Sequence, residues 1–168
     1  MRLHFVAILS LLTSVFAWSQ EKAVYFTTEQ LPDLVKCLPA PPEKGTPAFN
    51  LDVQRYRWGK QQRKDPERAE MARRDAVWTY EALLDELDDN FGMAVSEEKT
   101  PAIWNVLERS LRTVDQIRVA PKAWFHRIRP FEYFKETTLT GEDDVLRGEG
   151  SYPSGHSIRS WLAAMLLS

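Results

Sequence analysis

Two stretches of the chain carry apolar residues at helical spacing. Ala69, Ala72, Ala76, Tyr80, Leu83 and Leu87 recur every three or four positions, the interval that lines side chains along one face of an α-helix. Asp65-Pro66 supplies an N-cap and a proline for the first helical position, and Gly92 supplies a stop. The second stripe, Ile103, Leu107, Leu111, Val114 and Ile117, follows Thr100-Pro101 and runs to about Arg118. A shorter helix is expected over 52–62. Residues 21–50, punctuated by prolines, read as an extended strap over a core. No run alternates at strand period, and no repeat is present. The pattern predicts an all-α fold, a helical bundle in which the two long amphipathic helices pack antiparallel among shorter elements.

The apolar run at the N-terminus is of another kind. MRLHFVAILSLLTSVFAWSQ places Arg2 ahead of the apolar stretch 5–17, with small residues at Ala17 and Ser19, the layout of a secretory signal peptide. A membrane-spanning helix needs roughly 20 apolar residues, so cleavage near Ser19 is expected, with an uncleaved anchor as the alternative. Residues 1–19 then leave, and 20–168 are read as the N-terminal part of a single domain, periplasmic or secreted, with no stable membrane insertion after cleavage. Apolar residues at 43%, charged residues at 27% and a net charge of -2 describe a globular chain without the basic surface that a nucleic-acid polymer would need. Cys37 is the only cysteine, so no internal disulfide can form; in an oxidising compartment it is either buried and inert or has lost its partner. A homo-oligomer is compatible with this composition.

Candidate chemistry begins at Lys122, in PKAWFHRIRPFEYF. Lys122 and Arg129 lie seven apart, nearly two helical turns, and so share a side of a helix that Pro130 ends at about 128. His126, four after Lys122, falls on that same side. A flexible ammonium and a planar guanidinium on one face suit a tetrahedral oxyanion, although basic residues near a helix C-terminus are also favourable without any ligand. The second segment is GSYPSGHS, residues 150–157. A helix beginning near Ser154 offers free N–H groups from Gly155 onward to an anion. Ser154 can cap it and donate its hydroxyl, and His156 places a group titrating near neutral pH in the first turn, fit to protonate a leaving alkoxide. A plain N-cap beside a first-turn histidine explains this segment alone equally well. Together the segments fix seven identities, Lys122, Arg129, Pro130, Pro153, Ser154, Gly155 and His156, and a random chain matches both with a probability on the order of 10⁻⁵.

This pairing resembles the signature of the type 2 phosphatidic acid phosphatase and vanadium haloperoxidase superfamily: Lys, six residues, Arg-Pro, then Pro-Ser-Gly-His, then Ser-Arg, five residues, His, three residues, Asp. Within it the chain is most similar to the secreted bacterial class A nonspecific acid phosphatases. That likeness also draws on the 38–42 strap (LPAPP), HRIRPFEYF and GSYPSGHS. The resemblance implies a helical bundle acting on small-molecule phosphomonoesters. Lys122, Arg129, Ser154 and the Gly155 N–H would bind the phosphate, and His156 would be the catalytic general acid. A histidine of the third segment would be the nucleophile, oriented by that segment's Asp, with its Arg as a third cation. The phosphatases of the family need no metal or other cofactor; vanadate binds the same pocket in their haloperoxidase relatives.

After His156 the sequence reads SIRSWLAAMLLS, in which neither a His nor an Asp follows Ser157-Ile158-Arg159, so the third segment is not found in these 168 residues. The expectation is the N-terminal part of a longer exported acid phosphatase, incomplete at the C-terminus, weak or inactive by itself. A vanadate-dependent haloperoxidase and a non-catalytic phosphate-binding remnant are the alternatives. The acidic run 81–89 (EALLDELDD) is read as a solvated helix face and not a metal site, because no histidine accompanies it.

Overall fold

A computed structural model describes residues 23–168, apart from the side chains of 88–90. The expected signal segment 1–19 lies outside the described residues. Among these, every regular element is helical, as the periodicity predicts. The chain runs through a 3₁₀ turn at Thr28–Gln30 and then α1 (Leu34–Cys37), α2 (Pro47–Gln62), α3 (Pro66–Asp75), α4 (Tyr80–Phe91) and α5 (Pro101–Ile117). It continues through α6 (Val119–Phe125), α7 (Pro130–Phe134), α8 (Asp143–Leu146) and α9 (Gly155–Leu167). No described helix is long and apolar enough to cross a membrane.

Capping chemistry explains most of the starts. Asp65 accepts from the Glu67 and Arg68 amides ahead of α3, and Thr46 accepts from Phe49 N at 3.2 Å ahead of α2. That second cap starts α2 at Pro47, five residues before the expected 52, and shortens the strap accordingly. Thr100 does not cap α5; its hydroxyl donates to the Ser96 carbonyl and accepts from the Ser96 amide.

The expected single helix from Pro66 to Gly92 is two helices. α3 stops at Asp75, and α4 starts at Tyr80 after four non-helical residues. Val77, Trp78 and Thr79 are weak helix formers, and the Thr79 hydroxyl accepts from Ala82 N at 3.1 Å, capping a new helix. Gly92, at φ +77°, ends α4 where expected.

The expected antiparallel pairing of the two long helices is also corrected. α5 packs chiefly against α9, and α9 also receives α4. Leu84 of α4, Val95 of the α4–α5 connection, Trp104 and Leu107 of α5 and Ala163 of α9 form one buried cluster, bordered by Leu83, Leu87 and Phe91. Each large apolar side chain so buried contributes about 1.5–3 kcal/mol. The strap is tied down by polar contacts: Tyr25 N donates to Thr113 Oγ1 at 2.9 Å, and Arg109 donates to the Ala23 and Val24 carbonyls. Cys37 is exposed and free, which removes the buried alternative.

Candidate functional site

The first motif folds differently from the helix its spacing predicts. α6 ends at Phe125, three residues early, because His126 takes the left-handed conformation (φ 40°, ψ 42°) and its amide closes on the Lys122 carbonyl. His126 is therefore an exposed cap and does not share a helical face with Lys122. Arg129 is extended and serves as the N-cap residue of α7, with Pro130 in the first helical position. Helical phase does not bring Lys122 and Arg129 together; a turned chain does.

What they meet is the approach to the second motif. Lys122 Nζ donates to the Gly150 carbonyl at 2.6 Å, and Arg129 Nε donates to the Glu149 carbonyl at 3.1 Å. The Ser151 amide and hydroxyl both donate to the Arg127 carbonyl, at 2.8 and 3.0 Å. Tyr152 packs edge-on against Phe125, and its hydroxyl donates to the Pro39 carbonyl of the strap at 3.0 Å. Gly150 is required here: a Cβ at this position would lie 2.7 Å from the Lys122 carbonyl oxygen. Burial first, then the neighbouring Arg129 and Arg118, hold the Lys122 ammonium below its ordinary pKa, with Glu149 opposing.

The chain passes the cis Tyr152-Pro153 peptide and enters α9 at Gly155. Ser154 is the N-cap, its hydroxyl accepting from Ser157 N at 3.2 Å, as the sequence predicts. Gly155 is buried, and a Cβ there would come within 2.9 Å of Trp78 Cη2 and 3.2 Å of Arg118 Cδ. The His156 ring meets the Trp78 ring edge-on at 4.5 Å. Partial desolvation lowers the His156 pKa below the usual histidine value; the Ala76 carbonyl and Glu142 oppose this, while Arg159 and Arg118 add to it.

Four residues around this helix start were not singled out from the sequence as site residues: Trp78, Asp115, Arg118 and Arg159. Arg159 is buried one turn into α9, donating to Asp115 through both Nε (2.8 Å) and Nη2. Its guanidinium lies 3.2 Å from the Trp78 ring centroid, and Tyr80 donates its hydroxyl to the same Asp115 carboxylate at 3.3 Å. Arg118 Nε lies 3.6 Å from Asp115, and its guanidinium is 5.0 Å from the Trp78 ring. Only the low helix propensity of 77–79 hinted that Trp78 would leave a helix. Within the acidic run, Glu86 pairs with Arg74 at 3.2 Å, and among the described residues no three of His, Cys, Asp or Glu converge as a metal site would require.

Comparison with known proteins follows the same direction. No family model matches the chain. It is 32% identical over 146 residues to a non-specific acid phosphatase of Providencia stuartii, covering 86% of the chain and 58% of that protein. It is 35% identical over 133 residues to one of Salmonella typhi, covering 78% and 53%. A third, from Salmonella typhimurium, is 29% identical over 167 residues, covering 98% and 66%. The chain thus spans between about half and two thirds of the length of these curated relatives.

Proposed function

Because the chain is similar to bacterial non-specific acid phosphatases over the part of their length that it spans, we propose that it belongs with them and forms the phosphate cradle and general acid of an exported phosphomonoester hydrolase. One observation carries this reading. Lys122 and Arg129, from different elements, reach the consecutive carbonyls 150 and 149 in the segment that leads to α9. Two cations are therefore anchored on the segment that leads into a helix start whose amides and dipole favour an anion. In this reading Lys122, Arg129, the Ser154 hydroxyl and the Gly155 N–H hold the phosphate oxygens. The lysine exchanges its carbonyl partner for the ligand.

His156 is the general acid. As a nucleophilic histidine forms its N–P bond, the ester P–O bond breaks and the leaving alkoxide takes the His156 proton. Water then attacks the phosphohistidine, returns a proton to His156 and releases phosphate. The nucleophile belongs to the family's third segment, which these 168 residues do not contain. Partial burial lowers the His156 pKa, so the protonated form that must donate is retained only up to a lower pH limit than in a solvent-exposed histidine. The reading needs no metal, and vanadate would serve as a phosphate mimic.

A chromogenic phosphomonoester at acidic pH, with calorimetry of phosphate binding, tests this. The chain alone is expected to bind phosphate and to turn over weakly or not at all. Robust turnover abolished by His126→Ala would overturn the assignment of roles, and absence of phosphate binding would overturn the cradle.

A further inference from the structure

The four residues between α3 and α4 belong to no helix, yet they supply the wall against which His156 rests. The Trp78 and His156 rings meet at 4.5 Å with an interplanar angle of 62°. The indole is itself fixed from two other directions. The Arg159 guanidinium stacks 3.2 Å from its centroid, held there by Asp115, and Arg118 approaches at 5.0 Å. Gly155 leaves room for the same ring, since a Cβ would stand 2.9 Å from Cη2. Trp78 is nevertheless 37% exposed, so it borders the space that His156 faces.

From this arrangement we infer that Trp78 is a positioning residue for His156: it holds the imidazole edge-on at the mouth of α9 and sets the ring's orientation toward a leaving group. The inference rests on the reading of His156 as general acid. A first-turn histidine on an open helix end would exchange freely among rotamers, and an edge-on contact with a braced indole removes most of that freedom. The same contact strips water from one side of the imidazole. The charged groups that face His156 are Arg159 on its own helix, Arg118 at the α5–α6 joint and Glu142 ahead of α8, with the Ala76 carbonyl as the backbone neighbour. The break between α3 and α4 therefore brings both Ala76 and Trp78 to the ring, which a continuous helix would not do.

Histidine NMR on the 168-residue chain tests this, with the His156 signals assigned by their loss in His156→Asn. In the unsubstituted chain, cross-relaxation between the indole and imidazole protons is expected; its absence in the folded chain overturns the inference without any variant. In Trp78→Ala the His156 titration is expected to move upward, because the ring regains water on the side the indole covers, and Trp78→Phe should restore most of the shift. A folded Trp78→Ala chain in which His156 titrates as before overturns the inference. Should that variant not fold, Trp78→Phe together with the cross-relaxation result decides. Phosphate calorimetry on the same samples separates the two claims. An upward shift without phosphate binding defeats the phosphatase reading and leaves the positioning role standing, whereas binding with an unmoved titration defeats only the positioning role.

Discussion

Arg159 and Asp115 join α9 to α5 through a two-point ion pair, with Arg159 Nε and Nη2 each donating to a separate carboxylate oxygen. The same carboxylate accepts from Tyr80 and lies near Arg118. It therefore neutralises a cation that the fold has taken out of water, beside the start of the helix that carries Ser154, Gly155 and His156.

Removing one member of this pair should cost more than a surface ion pair does. With the Arg159 side chain 7% exposed and that of Asp115 20% exposed, Asp115→Ala is expected to lower stability by about 3–5 kcal/mol. Urea unfolding monitored by circular dichroism measures it. A loss under about 1 kcal/mol, the range of surface pairs, would show that Arg159 finds water or another partner.

Lys122 and Arg129 should contribute separately to anion affinity. A hydrogen bond to a charged group is worth about 1.5–3 kcal/mol, so Lys122→Ala or Arg129→Ala should weaken phosphate binding by tenfold or more in calorimetry. The pKa of Lys122 is depressed by burial and by neighbouring cations. Its share of the binding should therefore fade, as pH rises, sooner than a solvent-exposed lysine's would.

Gly150 and Gly155 admit no side chain, for different reasons. A Cβ on Gly150 meets the Lys122 backbone carbonyl at 2.7 Å, whereas one on Gly155 meets the outer edge of Trp78 at 2.9 Å. Overpacking costs about 1–3 kcal/mol. Gly150→Ala should sit at the upper end of that range, because backbone cannot swing aside, and it should also reduce phosphate binding by displacing Lys122. Gly155→Ala should instead disturb the His156 titration. Paired urea and NMR measurements distinguish the two.

Away from the site, Tyr56 offers a test in alkali. Burial, and the hydrogen bond its hydroxyl donates to Glu136, push its pKa up to about 12. The folded value lies above the unfolded value of about 10, so the associated stability is complete below pH ~10 and declines as pH rises toward the folded value. The Tyr80 pKa is also raised, by burial and by the Asp115 carboxylate, so ultraviolet titration should show more than one late phenol, and Tyr56→Phe should remove one of them.

How much of this could be read in advance varies from residue to residue. Ser154 as a cap, Pro66 and Pro101 as helix starts and Gly92 as a stop follow from short-range chemistry, and the structure carries each of them. Thr46-Pro47 is the same kind of start and was legible too, but the prolines before it drew it into the strap. The break at 76–79 was not legible: an apolar spacing that continues through Ala76 and Tyr80 does not reveal that Trp78 has better partners in Arg159 and Arg118. The proximity of Lys122 and Arg129 is real, but helical periodicity was the wrong reason for it. A left-handed His126 has no pattern of its own, since non-glycine residues reach that conformation only in particular surroundings. Asp115 and Arg159, 44 positions apart, could be paired only by the fold.

The bond from Tyr152 to the Pro39 carbonyl spans 113 positions, and so bears on the order in which the molecule is assembled. During synthesis Pro39 emerges long before Tyr152, and closing so large a loop must wait for most of the intervening helices. Docking of the segment that carries Tyr152 and closure of this contact with Pro39 thus fall together, after the local helix turns have formed. A protease added early in refolding should cut near Pro39, and should lose that access as Tyr152 docks.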